Sequence, residues 1–149
     1  MWWDCATIPA RGHILKTVRP CFLVIDREHA GAISTRKLVI ETAKFNVLTS
    51  YSSAEAIATL KKFSAVDGAV VDALMEDMHC SDLVRGLREI RPDLPIIAIC
   101  PPGSAHCEGV TQQLESFDPR RLLAILEKLV PDQTDAIEKR EEELARKDE

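Results

Sequence analysis

Glycine is scarce in this chain, with six in 149 residues. None falls in a G-x-G-x-x-G or G-x-x-x-x-G-K array, so the dinucleotide turn and the P-loop are both missing. No nucleophile elbow is present either. The Ser104, His106 and Cys107 of "PPGSAHCEG" stand in a stretch too short to support a triad. The chain is therefore not expected to be an enzyme. Basic charge is also short: 19 Lys and Arg face 24 Asp and Glu, for a net charge of −5. Phosphate contacts need a basic surface, so a general nucleic-acid binder is excluded. No apolar run approaches the length of a membrane span. The first residues, "MWWDCATIPARGHILK", carry an acid at Asp4 and no continuous apolar stretch, which is unlike a signal peptide. The five cysteines are odd in number and contain no C-x-x-C pair. They read as free thiols in a reducing, cytoplasmic setting.

What is present is a core-forming composition, 46% hydrophobic and 29% charged. It suits one domain with extensions. Residues 1–20 form an arm interrupted by Pro9, Gly12 and Pro20. Residues 21–130 carry the regular pattern. Residues 131–149 form a charged tail.

From Cys21 the pattern alternates. "CFLVI" is a short apolar strand ended by Asp26. A helix is expected over 30–44, with Ile33, Ile40 and Ala43 on one face. "NVLTS" is a second strand. "SSAEAIATLKKF" opens a helix with Ser52 and Glu55 spaced as a capping box. "GAVVD" is a third strand ending on Asp72. "SDLVRGLREIR" places Leu83, Val84, Leu87 and Ile90 inward. "LPIIAIC" is a fourth strand, and "GVTQQLES" a weak fifth. Asp118-Pro119 is an N-cap with proline at the first helical position, before Leu122, Ile125, Leu126 and Leu129.

Short apolar strands alternating with amphipathic helices predict an α/β three-layer sandwich around a five-stranded parallel sheet. Ligands and chemistry in such sheets gather at the carboxyl ends of the strands, where Asp26, Asp72 and Cys100 fall. In the tail, Glu142 with Arg146 and Glu143 with Lys147 are i,i+4 pairs that favour a helix. Ile137 and Leu144 lie seven apart, too few apolar positions for a stable seam, so a solvated tail, helical or disordered, is expected.

"FLVIDREH", followed one βα-βα unit later by "GAVVDALMEDMHCSDLVRGLR", resembles the receiver domain of two-component response regulators. "LPIIAIC" and "SFDPRRLLAILEKL" are similar to that family's fourth strand and last helix. The resemblance covers residues 20–130 and implies a flavodoxin-like fold with the fourth helix shortened. It implies that Asp72 is the phospho-acceptor position. Asp26, Glu28 and the backbone carbonyl of Leu74 are its implied candidates for holding Mg2+. A hard cation there would screen an anionic donor from an anionic acceptor. The implied partner is a histidine kinase or another signalling protein, with a second copy of the chain as a further candidate.

Three pocket positions depart from the family pattern. Arg27 stands where a second acid is usual. Cys100 replaces a hydroxyl residue, and a thiol is a poor donor to phosphate. Glu115 replaces the phosphate-binding lysine. These changes imply a pseudo-receiver that acts through protein contact, with Mg2+ binding in doubt. A working phospho-accepting receiver using Glu28 is the alternative, and Arg27 could itself serve as a built-in cation. A third reading uses His79, Cys80, Cys100, His106 and Cys107 at one sheet edge as a metal or redox site. Glu76, Asp77 and Asp82 read as turn and cap residues, Asp82 by the helix dipole.

Overall fold

In the computed structural model the described residues are 19–27, 33–104 and 106–147, excluding the side chains of 133 and 135. Five strands are present: β1 Cys21–Ile25, β2 Asn46–Ser50, β3 Gly68–Asp72, β4 Ile96–Ile99 and β5 Gln112–Leu114. The described helices are α1 Thr35–Thr42, α2 Ser53–Lys62, α3 Cys80–Ile90, α4 Pro119–Leu129 and α5 Pro131–Lys147. All neighbouring strands pair in parallel, in the order β2-β1-β3-β4-β5. The predicted α/β sandwich is the fold observed.

Side chains alternate across a strand, and here each face of β1 feeds a different core. Cys21, Leu23 and Ile25 join Ala69, Val71, Ile96 and Ala98 under α2 and α3. Phe22 and Val24 join Val70, Ile97 and Ile99 under α1 and α4. Leu60, Leu83 and Leu87 close the first layer, and Ile40, Leu122 and Leu126 the second. Both faces are covered, which is why these strands are continuous apolar runs.

Local sequence explains most helix ends. The Ser52 hydroxyl accepts from the Glu55 N–H at 3.1 Å, and Asp118 accepts from Arg120 and Arg121 with Pro119 at the first position. Two boundaries differ from expectation. The helix expected over 30–44 begins at Thr35, capped by Ser34, and closes at Thr42 with Lys44 left-handed at φ 66°. Ile33 lies ahead of it and is exposed rather than on an inner face. Between β4 and β5 the described residues contain no helix, only turns with Gly103 and Gly109 at φ 85°. The tail is helical over Pro131–Lys147, with Ile137 packed on the second core and Leu144 exposed. Glu142 and Arg146 make the anticipated i,i+4 pair at 3.7 Å.

Candidate functional site

Asp26 follows β1 and Asp72 ends β3, so the parallel register brings both to one end of the sheet. Both are buried, at 5% and 2% exposure. A buried carboxylate must be hydrogen-bonded and charge-paired. Asp26 accepts from the Arg27 N–H at 2.7 Å and from the Ser34 hydroxyl at 2.8 Å. Asp72 accepts from the Leu74 N–H at 2.7 Å on one oxygen. Its other oxygen takes Arg27 Nε at 3.0 Å and Arg36 Nη1 at 3.1 Å. The same Arg36 nitrogen lies 3.5 Å from Asp26.

Arg36 is therefore wedged between the two carboxylates. Its side chain is 14% exposed, against 51% for Arg27. Its guanidinium also stands over the Phe117 ring, 5.7 Å from the centroid, within cation–π range. Two negative and two positive charges meet, so the cluster is neutral. Among the described residues this arrangement does not fit a divalent cation, because the Arg36 guanidinium holds the space between the Asp26 and Asp72 carboxylates.

Arg36 was not singled out from the sequence. A signal existed: Arg36 and Lys37 open α1, which has no acid in its first turn, against the helix dipole's preference. A cation placed at the wrong end of a helix needs a partner elsewhere, and Asp26 and Asp72 are that partner.

The other sequence candidates divide. Arg27 is in the cluster. Leu74 contributes its N–H, and its carbonyl takes no part in the bonds described. Glu28 lies outside the described residues. Glu115 is exposed beyond β5 and makes none of the described contacts to Asp72. Cys100 is buried just past β4. Burial pushes its thiol up, the Cys107 N–H pulls the other way, and the Asp72 charge raises it further.

The expectation of free thiols holds for Cys100 and fails for Cys80 and Cys107. Cys80 and Cys107 form a disulfide with their Cα atoms 5.4 Å apart, within the usual range. Their sequence separation of 27 hid the pairing, because it forms only when α3 and the β4–β5 connection meet. Among the described residues no three His, Cys, Asp or Glu side chains are grouped to hold a metal. His79 instead caps α3, accepting from the Ser81 N–H at 3.2 Å. Asp77 caps α2 from outside, accepting from Ser53 at 2.8 Å and Ala54 at 3.3 Å. Slight burial raises the Asp77 pKa, but the hydrogen bonds from Ser53 and Ala54 outweigh it and hold the carboxyl below its ordinary value. Asp82 lies in the first turn of α3 and pairs with Arg85 at 3.2 Å.

No protein-family profile and no curated protein sequence matches the chain. Solved structures do. A response regulator receiver domain protein from Clostridium thermocellum superposes with a TM-score of 0.67 at 22% identity, covering 75% of this chain and 94% of that one. A CheY-like receiver domain protein from Methanospirillum hungatei gives 0.65 at 21%, covering 78% and 98%. A chain described as adenylate cyclase from Rhodopirellula baltica gives 0.65 at 23%, covering 85% and 98%. At these identities the likeness establishes the fold, that of CheY-like receiver domains. Function has to be argued from the site. No described helix is long and apolar enough to cross a membrane.

Proposed function

We propose that this chain is a receiver-like signalling module of a two-component system that works by protein contact, with its acceptor pocket closed by its own arginines. The observation that supports this reading is Arg36 between Asp26 and Asp72, backed by Arg27. In a phospho-accepting pocket the acid must be free to attack, and a hard cation must join donor and acceptor. Here Asp72 carries three hydrogen bonds to this chain's own groups. Asp72 then acts structurally, holding α1 to the end of β3. The reading makes a histidine kinase or another signalling protein the natural partner, with a second copy of the chain as a further candidate. It also carries a cytoplasmic location.

The test is incubation with Mg2+ and either acetyl phosphate or beryllofluoride, followed by intact mass and thermal melting. Neither should change relative to an Asp72→Asn control. A mass gain of one phosphoryl group, lost in Asp72→Asn, would establish instead a working acceptor.

A further inference from the structure

Three cysteines meet at the carboxyl edge of the sheet. Cys80 is the first residue of α3, Cys107 sits in the β4–β5 connection, and Cys100 follows β4. All three belong to one buried cluster. Cys80 and Cys107 are joined, Cys100 is free, and the Cys107 N–H donates to the Cys100 thiol. This bond is the covalent tie between the connection and α3. Of the described residues 101–104 and 106–111, Cys107 is the one that is buried. Its other ties to α3 are surface hydrogen bonds, from the Glu108 N–H to Ser81 at 3.2 Å and from Arg88 to the Gly109 carbonyl at 2.9 Å. On the sheet side the Gln113 amide donates to the Cys107 carbonyl at 3.1 Å, Val110 packs on the first core, and Thr111 is bonded to Ile96. With one buried residue among the described residues of 101–109, this segment opens at lower cost than the strands and helices around it.

We propose that Cys80–Cys107 is a thiol–disulfide site opened by an external dithiol, and that its state decides whether the β4–β5 connection stays on α3. This proposal is independent of the closed-pocket reading. A cleft of about 460 Å3 lined by Ser81, Val84, Arg88, Glu108 and Gly109 lies where the connection meets α3. Ser81 and Glu108 are the chain neighbours of the bonded cysteines; Cys80 and Cys107 themselves are buried at 3% and 0% exposure, so attack follows local opening of the connection at this cleft. A thiolate at a helix N-terminus is stabilised, which makes Cys80 the better leaving sulfur. One thiolate of the dithiol attacks Cys107 Sγ. The S–S bond breaks, and Cys80 leaves as a thiolate that takes a proton from water. The second thiolate of the dithiol then attacks its own sulfur in the mixed disulfide. The dithiol closes to a cyclic disulfide and Cys107 is released as a thiol. Two electrons pass from dithiol to protein. In a reducing compartment such a bond is transient, which suits a sensor rather than a permanent staple.

The experiment treats the folded full chain with dithiothreitol. Peptide mapping without reductant follows the linked Cys80–Cys107 peptide, and hydrogen exchange follows residues 101–111. The linked peptide should disappear while circular dichroism stays native, with exchange in 101–111 rising at least tenfold. Oxidised glutathione should reverse both. A Cys80→Ser/Cys107→Ser variant should exchange like the reduced chain. If the linked peptide survives until global unfolding, or reduction leaves exchange in 101–111 unchanged, the proposal falls. Should the variant fail to fold, the reduced natural chain decides alone.

Discussion

Replacing Arg36 with methionine keeps the apolar stem near Phe117 and removes the guanidinium that touches both buried acids. Asp26 and Asp72 would then face each other with their side chains 7% and 3% exposed. Arg27 would remain, but half in solvent and on Asp72. Breaking a fully buried pair from one side costs about 3–5 kcal/mol. Arg36 is slightly exposed and Arg27 compensates in part, so about 2–4 kcal/mol is expected for Arg36→Met. At about 2–4 °C per kcal/mol for a chain of this size, the melting temperature should fall by roughly 4–16 °C. Arg27→Met, the more exposed of the two, should cost about 1 kcal/mol or less. The decisive measurement is a double-mutant cycle by urea unfolding. In an Asp72→Asn background, where one buried charge is gone, Arg36→Met should cost at least about 1 kcal/mol less than in the natural chain. The cycle also has a metal arm: with the guanidinium gone, Mg2+ should raise the melting temperature of Arg36→Met and leave the natural chain unchanged. A loss below about 1 kcal/mol, or an equal loss in both backgrounds, would refute the electrostatic lock.

Other consequences can be checked separately. Asp77→Ala should destabilise by about 1 kcal/mol in urea unfolding, and Ser52→Ala by a similar amount, since they satisfy different N–H groups of α2. Two acids respond to pH with opposite signs. Asp67 has a raised pKa through burial, against the Cys21 N–H and the Arg91 charge. Its contribution is fully present below the ordinary value of 3.8 and is lost as pH rises through the folded value. Asp77, held low, contributes stability above 3.8 that is lost as pH falls through its folded value. Unfolding of Asp67→Asn and Asp77→Asn between pH 3 and 6 should therefore diverge from the natural chain in opposite directions. Gly109→Ala should destabilise more than Gly103→Ala. Both have φ 85°, but a Cβ on Gly109 would lie 3.3 Å from Val84 Cγ1, whereas Gly103 has nothing within 4 Å. Ile137→Ala should raise hydrogen exchange across α5, because its side chain is packed on the second core.

Strand positions, element order and most caps were legible in the sequence because their causes are local. A run such as "FLVI" reports a strand covered on both faces, and Ser52 or Asp118 reports the N–H groups it will satisfy. Asp72 was legible as a buried acid at a strand end for the same reason. What surrounds it was not. Arg36 reaches Asp72 across a separation of 36 residues, and Cys107 reaches Cys80 across 27. Neither distance has a periodicity that a linear reading can detect. Helix α1 ends where Thr42 and Lys44 allow, yet its start depends on Ser34 serving both Lys37 and Asp26, and that carboxylate eight residues back is a tertiary partner. By itself, then, the order of residues determined a parallel sheet with two acids at its carboxyl end. Only the folding of α1 and the β4–β5 connection onto that end decided that the acids are closed over by arginine and that two thiols are joined. Burying charge and bringing sulfur within bonding reach depend on chain segments distant in sequence, and only the packed fold brings those together.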